Sequence, residues 1–300
     1  MLWHIRKRVG AMVLQHHYLR CLRELRHFGR ATWRRLRTGL LPLLSASFGL
    51  GFILHQAAAG CVPVAGLAPR LIPAALGPVA PGPGQVGLTF LGHASFLLET
   101  SGGVTAVTDY SGQVGPGFVP DVVTMNRAHP SHYTDTPDPA IKFVLRGWDP
   151  TGAAARHDVK YRDLRIRNVA TNIRDYNGGT LLNGNSIFIF ETADLCIAHL
   201  GHLHHLLTPG HLAELGQIDV LLVPVDGAYT LEQVDMLTVM ASIRAPLMIP
   251  MHYFSNATLG AFLDKARARY PVRVSDSPSL LLSRTMLPRQ PEILVLPGGS

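Results

Sequence analysis

The chain has 300 residues, of which 47% are hydrophobic, enough for one large globular domain or two small ones. The net charge of +7 is uneven, because residues 1–38 hold ten of the 27 Lys and Arg residues and one of the 20 Asp and Glu residues. The remaining 17 basic and 19 acidic residues nearly balance, which gives no support to a nucleic-acid-binding domain, and the three cysteines lack the Cys-x-x-Cys spacing of a cysteine-ligated zinc site.

The first 85 residues are predicted to precede the folded domain. Residues 1–38 form a basic segment, and residues 39–61 open with the uncharged run GLLPLLSASFGLGFIL. This run is shorter than the about 20 residues of a membrane span and fits the apolar region of a secretory signal. Small residues before Cys61 favour a bacterial lipoprotein signal, with a cut near Ala59 or an uncleaved anchor as the alternatives. Residues 62–85 are rich in Pro, Ala and Gly and predict a tether.

These N-terminal features predict the location of the protein. An exported protein with a lipidated Cys61 or an N-terminal anchor would be attached to a membrane of the cell envelope, as a lipoprotein or a periplasmic protein. If the segment is not a signal, the protein is cytoplasmic. The sequence makes no prediction of the oligomeric state.

Residues 86–298 are predicted to form the folded domain. Apolar runs and turn residues predict strands at 86–99 (two strands that turn at Gly92-His93), 104–108, 121–125, 141–145, 161–169 (an edge or half-exposed strand), 185–191, 195–199, 220–224, 246–250 and 291–296. Helices are predicted at 207–215, 230–242 and 257–269. Strands that come first, followed by strands alternating with helices, indicate a layered α+β or α/β domain with two sheets.

Histidines follow three of these predicted strands. The segment DVVTMNRAHPSH at 121–132 runs from a strand into a loop with His129 and His132, while His202 and His252 follow two later strands. One His-x-x-His pair is weak evidence for a site. Three histidine sites at strand ends are stronger, because a strand end holds a loop rigidly enough to bind a metal or a substrate.

Several collinear motifs carry a family resemblance. They are LGHASF at 91–96, the strand-ending Asp109, GG at 178–179 followed by NSIF at 185–188, IAHLG at 197–201, IDVLLVPV at 218–225 and IPMHY at 249–253. Together they resemble the metallo-β-lactamase superfamily, in the branch of ascorbate-6-phosphate lactonase-like hydrolases and N-acyl phosphatidylethanolamine phospholipase D. The resemblance covers residues 86–298 and implies an α+β four-layer αββα sandwich with its site at one edge between the sheets.

The family signature His-x-His-x-Asp-His reads RAHPSH at 127–132 in this chain. At the family's first metal site the resemblance places Arg127, His129 and Arg174, and a guanidinium group has no lone pair for a metal. We therefore expect Arg127 and Arg174, together with Ser131 in place of the signature Asp, to bind an anionic group of the substrate.

The second metal site of the family is better preserved. His132 and His252 are retained, and His202 stands where relatives have a bridging Asp. Three imidazoles can hold one metal ion, so the resemblance implies one divalent ion on His132, His202 and His252, with zinc as the first candidate and manganese or iron as alternatives.

Three further residues have catalytic roles under this resemblance. Relatives use a site carboxylate for proton transfer, and Ser131 cannot replace it, so His129 or Asp226 is expected to act as general base. Asp109 is expected to orient the signature loop, as a carboxylate does for histidine ligands. For the remaining histidines we expect a structural role for His199 and a hydrogen bond from His93 to the signature loop. His204 and His205 are expected to support the ligands from behind or to lie at the rim, and His16, His17 and His211 are expected at the surface.

Two functions follow from this interpretation. The first is a single-metal hydrolase that acts on a small anionic ester, phosphodiester or lactone in the cell envelope. The second is a pseudoenzyme with the same fold that binds an anionic ligand or an envelope partner without turnover, its histidines hydrogen-bonded to one another or to Asp109. Bound metal with hydrolytic activity distinguishes the first from the second.

Overall fold

A computed structural model describes residues 80–298 of the chain, except residues 113, 116 and 176. The expectations for residues 1–61, including the signal, the lipidated Cys61 and the anchor, lie outside the described residues, as does most of the predicted tether. Within the described residues, none of the helices has both the length and the apolar character to cross a membrane.

The described residues form fourteen strands and three helices. The strands are β1 Val86–Gly92, β2 Ser95–Thr100, β3 Thr105–Val107, β4 Val122–Met125, β5 Phe143–Arg146, β6 Asp158–Tyr161, β7 Leu164–Arg174, β8 Thr180–Thr192, β9 Leu195–His199, β10 Val220–Pro224, β11 Leu247–Met251, β12 Val272–Val274, β13 Ser279–Leu282 and β14 Glu292–Val295. The helices are α1 Pro209–Leu215, α2 Gln233–Ile243 and α3 Asn256–Ala266, and Arg284–Met286 forms a 3₁₀ turn.

The strands make two mixed sheets. A six-stranded sheet has the order β13-β1-β2-β3-β4-β5, with antiparallel pairs from β13 to β3 and parallel pairs from β3 to β5. An eight-stranded sheet has the order β12-β14-β11-β10-β9-β8-β7-β6. Its strands are parallel from β12 to β9 and antiparallel from β9 to β6. The prediction of two sheets is thus confirmed.

The main core lies between the two sheets. Alternate residues of the strands point inward, as a period of two requires, and the buried rings of Phe96, Phe188 and Phe190 belong to this layer. All three helices cover the outer face of the eight-stranded sheet, where Met236 of α2 and Phe262 of α3 are fully buried. Burial of this kind stabilises a protein by about 25 cal/mol for each Å² of apolar surface.

The outer face of the six-stranded sheet is covered by loops within the described residues. Tyr110, Tyr133 and Trp148 pack there against β3, β4 and neighbouring strands. The predicted fourth, helical layer is therefore not found in residues 80–298. The composition of the covering loops gives the reason, because residues 111–120 contain three Gly and two Pro and residues 128–140 contain three Pro, which oppose helix formation.

The predicted elements match the structure apart from β6, β12 and β13 and the position of the edge. The run predicted as an edge or half-exposed strand belongs to β7, which lies between β6 and β8, so β6 is the edge. Buried and partly exposed residues alternate along β7, in agreement with the half-exposed alternative. Polar residues on an inner strand are accommodated because Arg165 and Arg167 both form ion pairs with Glu191 of β8. The alternating charges thus reflect cross-strand pairs rather than an open edge.

The topology brings the ends of several strands to one edge of the sandwich. Strands β9, β10 and β11 are parallel neighbours, so their carboxyl ends meet, and the loops after them hold His202, Asp226 and His252. The loop after β4 holds His129 and His132, and the β1–β2 turn contributes His93. Ligand sites of open sheets commonly lie at such an edge.

Candidate metal centre

Five histidine rings meet at this edge, and we name His93, His129, His132, His202 and His252 the histidine cluster. Their neighbouring ring centroids lie 4.3 to 5.1 Å apart. In four of them, all except His202, one nitrogen per ring lies within 4.8 Å of the nitrogens of the others. The spacing therefore allows several of these nitrogens to share one ion.

The backbone beneath the cluster is strained. His93, Asp109 and His252 have φ values of 52°, 43° and 52°, in the left-handed region that costs most residues free energy. The backbone N–H of His252 donates to the carbonyl of His93 at 2.6 Å and ties two of these positions together. Strained backbone of this kind is concentrated at functional sites.

Asp109 orients His132. It is fully buried, and its Oδ2 lies 2.6 Å from His132 Nδ1 while its Oδ1 accepts from Asn126 Nδ2 at 2.9 Å. Burial raises the pKa of Asp109, but the electrostatic interactions with His132 and His199 and the hydrogen bonds from His132 and Asn126 outweigh it, so the pKa lies below its usual range. An ionised carboxylate can only accept, so His132 carries its proton on Nδ1.

Asp226 orients His252 in the same way. Its Oδ1 lies 3.0 Å from His252 Nδ1, and its two oxygens also accept from the backbone N–H groups of residues 228–230 and from the Thr230 hydroxyl. Burial raises the pKa of Asp226, but the hydrogen bonds from His252 and Thr230 outweigh it and lower the pKa well below the usual range. These donors occupy both oxygens, so the geometry favours an orienting role over the predicted general-base role.

In the neutral form of both rings, the Nε2 atoms of this pair carry lone pairs. His132 Nε2 and His252 Nε2 lie 3.1 Å apart and face each other. Two lone pairs at this distance repel unless a cation lies between them. Nitrogens on one zinc ion, with bonds of about 2.0–2.1 Å, lie about 3.4 Å apart. His93 Nε2 is buried beside them and has no hydrogen-bond partner among the described residues, so the arrangement fits a metal ion.

His93 and His129 are neutral near pH 7, as ligands or proton acceptors must be. Burial, helped by the charges of His252 and His132, lowers the pKa of His93 to about 3. Burial and the same two neighbours lower the pKa of His129 to about 4. Ser131 Oγ lies 2.6 Å from His129 Nδ1 and fixes that ring.

His202 has a different set of partners. Its Nδ1 lies 2.5 Å from His204 Nε2, and its Nε2 is buried without a partner among the described residues. His204 Nδ1 in turn lies 3.0 Å from the backbone nitrogen of Arg174 and 3.0 Å from its Nε. Burial and the charges of His132 and His252 lower the pKa of His202, so this ring is neutral.

A pocket of about 750 Å³ opens beside the cluster. Its walls include His129, His202 and Arg174 and the exposed rings of Tyr229 and Phe254. The two aromatic rings contact each other edge to face with centroids 5.5 Å apart. The pocket thus combines polar groups from the cluster with an apolar rim.

Some of the predicted site residues lie in the histidine cluster, and others lie in the pocket wall or outside it. The structure brings together His132, His252 and His129, with His202 next to them. Arg174 lines the pocket, and its Nη2 donates to the carbonyls of residues 228 and 230. The Arg127 side chain is exposed and is not part of the pocket wall, and Ser131 contacts His129. The prediction that His204 lies at the rim agrees with its place in the pocket wall.

Sequence reasoning missed three contributors to the site. His93 was expected to bond the signature loop, but its Nε2 points into the cluster as a ligand candidate. Asn126 bonds Asp109 and the backbone of Ser186, and Asn185 accepts from the backbone N–H of His202. The position of His93 at the end of β1 was the available signal, whereas the asparagines follow no pattern of spacing.

The two sheets and the histidine–carboxylate centre at their common edge define a metallo-β-lactamase-type protein. Residues 87–252 match the model of the beta-lactamase superfamily domain, and the chain belongs to that superfamily. Whether it belongs to the lactonase and phospholipase D branch stays a prediction.

Three named relatives are 24% to 29% identical to the chain. The chain is 26% identical over 214 residues to a UPF0173 metal-dependent hydrolase of Carboxydothermus hydrogenoformans, covering 60% of this chain and 92% of the relative. It is 24% identical over 209 residues to one of Salinibacter ruber, covering 59% and 88%. A metallo-beta-lactamase superfamily structure from Thermotoga maritima is 29% identical with a TM-score of 0.51, covering 70% of this chain and 98% of that one.

Proposed function

We propose that the protein is a metal-dependent hydrolase whose histidine cluster holds one divalent ion. The observation that carries this proposal is the facing pair of His132 and His252, whose Nε2 lone pairs lie 3.1 Å apart while Asp109 and Asp226 hold both Nδ1 protons. Histidine ligands of metals are commonly oriented by carboxylates in this way. The relatives from C. hydrogenoformans and S. ruber are both named metal-dependent hydrolases, which supports the same function.

We assign the ion to His132, His252 and His93. The first two are fully buried, and the Nε2 of His93 is a buried nitrogen without another partner among the described residues. Zinc, with manganese or iron as the alternatives, would supply Lewis-acid polarisation of a substrate oxygen and of the attacking water when bound. The proposal of a single ion rests on Arg127 and Arg174, which stand at ligand positions of the family's other site and cannot bind a metal.

His129 is the proposed proton acceptor. It lines the pocket, it is neutral because its pKa is lowered to about 4, and Ser131 Oγ fixes its Nδ1 at 2.6 Å. When the Nδ1–H of His129 donates to Ser131 Oγ, its Nε2 is the nitrogen that can take a proton from an attacking water. A positioned acid or base of this kind contributes a factor of about 10²–10⁴ to the rate.

The pocket favours a substrate with an anionic group and an apolar group. Arg174 is the cation of the wall, and its Nη1 has no partner among the described residues, so it can bind a carboxylate or phosphate oxygen. Tyr229 and Phe254 offer apolar surface in the same pocket. We therefore propose an ester, phosphodiester or lactone that carries a hydrocarbon or aromatic part.

The test is hydrolysis by the purified full-length chain, metal-free and after addition of zinc, manganese or iron. The panel consists of nitrophenyl carboxylic esters, bis-nitrophenyl phosphate and simple lactones. We expect turnover that depends on the metal and falls at least about 10²-fold in His132→Ala. His211→Ala is the matched control, because its ring contacts His205 outside the cluster. Bound metal without turnover of any compound class would instead support the pseudoenzyme alternative.

A further inference from the structure

A chain of hydrogen bonds leads from β7 through two histidines into the cluster. The backbone N–H of Arg174 lies 3.0 Å from His204 Nδ1, and the Nε–H of the same arginine lies 3.0 Å from that atom. Backbone amides and guanidinium groups can only donate, so His204 Nδ1 is a lone pair. An imidazole keeps at least one ring proton, so His204 carries its proton on Nε2.

That proton decides the state of His202. His204 Nε2 lies 2.5 Å from His202 Nδ1, and because the former donates, the latter accepts. A neutral imidazole has one N–H, so the proton of His202 is on Nε2. The Nε2 atom is buried, and the residue as a whole is 3% exposed, with no acceptor for this proton among the described residues.

The cluster thus holds two kinds of histidine. His132 and His252 present Nε2 lone pairs, because their Nδ1–H groups donate to carboxylates. In His202 the Nδ1 atom instead accepts from His204 Nε2–H, so its Nε2 carries a proton. We propose that His202 is a hydrogen-bond donor in the cluster, which binds an oxyanion of the ligand through its Nε2–H, and is not a metal ligand. This assignment replaces our expectation that His202 takes the place of the bridging Asp as a ligand.

A buried N–H donor at this position suits a carboxylate or phosphoryl oxygen, or a carbonyl oxygen that gains negative charge during hydrolysis. The role of the donor in the reaction rests on the proposed hydrolase function, whereas the position of the proton rests on the hydrogen bonds alone. Loss of one donor to a developing oxyanion typically lowers kcat by about 10²–10³.

Nuclear magnetic resonance distinguishes the two ring forms directly. The test uses the full-length chain with ¹⁵N-labelled histidine, first without metal and then with zinc, and records two-bond proton–nitrogen correlations near neutral pH. We expect the proton of His202 on Nε2 in both states. His205 is an internal control with the opposite form, because its Nε2 accepts from the backbone N–H of Asn172 at 3.1 Å. A proton on Nδ1 of His202, or its Nε2 bound to zinc, would overturn the proposal.

Two substitutions of His204 form a matched pair. In His204→Gln the amide oxygen can accept from Arg174 while the amide NH₂ donates to His202, so the proton of His202 stays on Nε2. In His204→Glu the carboxylate can only accept, so the proton should move to Nδ1. If both variants leave the same ring form, the relay through His204 does not control His202 and the proposal fails.

The functional consequence is tested separately with His202→Gln, which keeps a donor, and His202→Leu, which does not. Metal affinity should stay within about threefold of the parent chain in both, whereas kcat should fall by about 10²–10³ in His202→Leu and by less in His202→Gln. A loss of metal affinity in His202→Leu as large as in His132→Ala would contradict the assignment. If the parent chain hydrolyses nothing, the proposed function fails while the resonance experiment still decides the proton position.

Discussion

Asp109→Asn removes one acceptor from the centre without changing its size. The carboxylate accepts from His132 Nδ1 at 2.6 Å and from Asn126 Nδ2 at 2.9 Å, and it is fully buried. An amide has one acceptor oxygen, so its NH₂ must face one of these two donors. If the amide NH₂ faces His132, the ring proton moves from Nδ1 to Nε2 so that Nδ1 can accept. The lone pair on Nε2 that faced the metal is then lost.

The size of the effect follows from these contacts. Loss of a group that orients a metal-ligating histidine weakens metal binding by about 10–100-fold, which is about 1.4–2.8 kcal/mol. The metal-free protein should also lose about 1.5–3 kcal/mol of unfolding free energy, because buried hydrogen bonds to an ionised group are replaced by weaker ones. The two effects are separable, since one is measured on the folded protein and the other on the unfolding equilibrium.

The assay is a zinc competition titration against a chromophoric chelator, with a urea titration of the metal-free chain for stability. Asp264→Asn is the matched control, because its side chain is 76% exposed and pairs with Arg267 at the surface. We expect the control to bind zinc like the parent chain. Unchanged zinc affinity in Asp109→Asn, with the protein folded, would refute the assignment of Asp109 as the group that fixes His132.

Two further predictions concern stability. Gly201→Ala should lower the unfolding free energy in urea by about 2–5 kcal/mol, because φ is 59° and the new Cβ would lie 2.4 Å from two buried asparagine side chains. In the control Gly260→Ala in α3, the new Cβ meets no atom within 4 Å, so the change should be neutral or stabilising. A small effect at Gly201 would show that the loop can move. The metal-free protein should lose stability as the pH falls from about 6.5 to about 3. Folding lowers the pKa of His93 from 6.5 to about 3 and that of His129 from 6.5 to about 4. In this pH range the unfolded chain therefore binds more protons than the folded one, and acid favours unfolding. The pH dependence of the urea midpoint should be shallower in a His93→Gln/His129→Gln double variant, and an identical slope would contradict those pKa values.

The fold was largely predictable because its strands are short apolar runs with clear ends. Val220–Pro224 of β10 is wholly buried and was predicted to the residue. The strand β13, Ser279–Leu282, was missed, and its existence depends on pairing with β1. Pairing between distant segments is a tertiary property that no local pattern contains.

The site was predictable in its location and less so in its roles. The Nε2 atoms of His132 and His252 lie 3.1 Å apart, although the strands that precede them, β4 and β11, belong to different sheets. The roles depend on which ring nitrogen carries a proton, and partners distant in the sequence decide this. For His202, the backbone N–H of Arg174 acts through His204. Likewise, Asp226 reads as a free carboxylate in the sequence but accepts five hydrogen bonds in the fold.

The central claim is that the histidine cluster holds a divalent metal ion. The most direct test is the metal content of the purified full-length chain by mass spectrometry, beside a His132→Ala/His252→Ala double variant whose fold is checked by circular dichroism. We predict about one zinc, manganese or iron per chain, lost in the double variant. A folded parent chain that binds no metal, even after addition of zinc, would contradict the claim. The facing nitrogens of His132 and His252 would then be bridged by a proton.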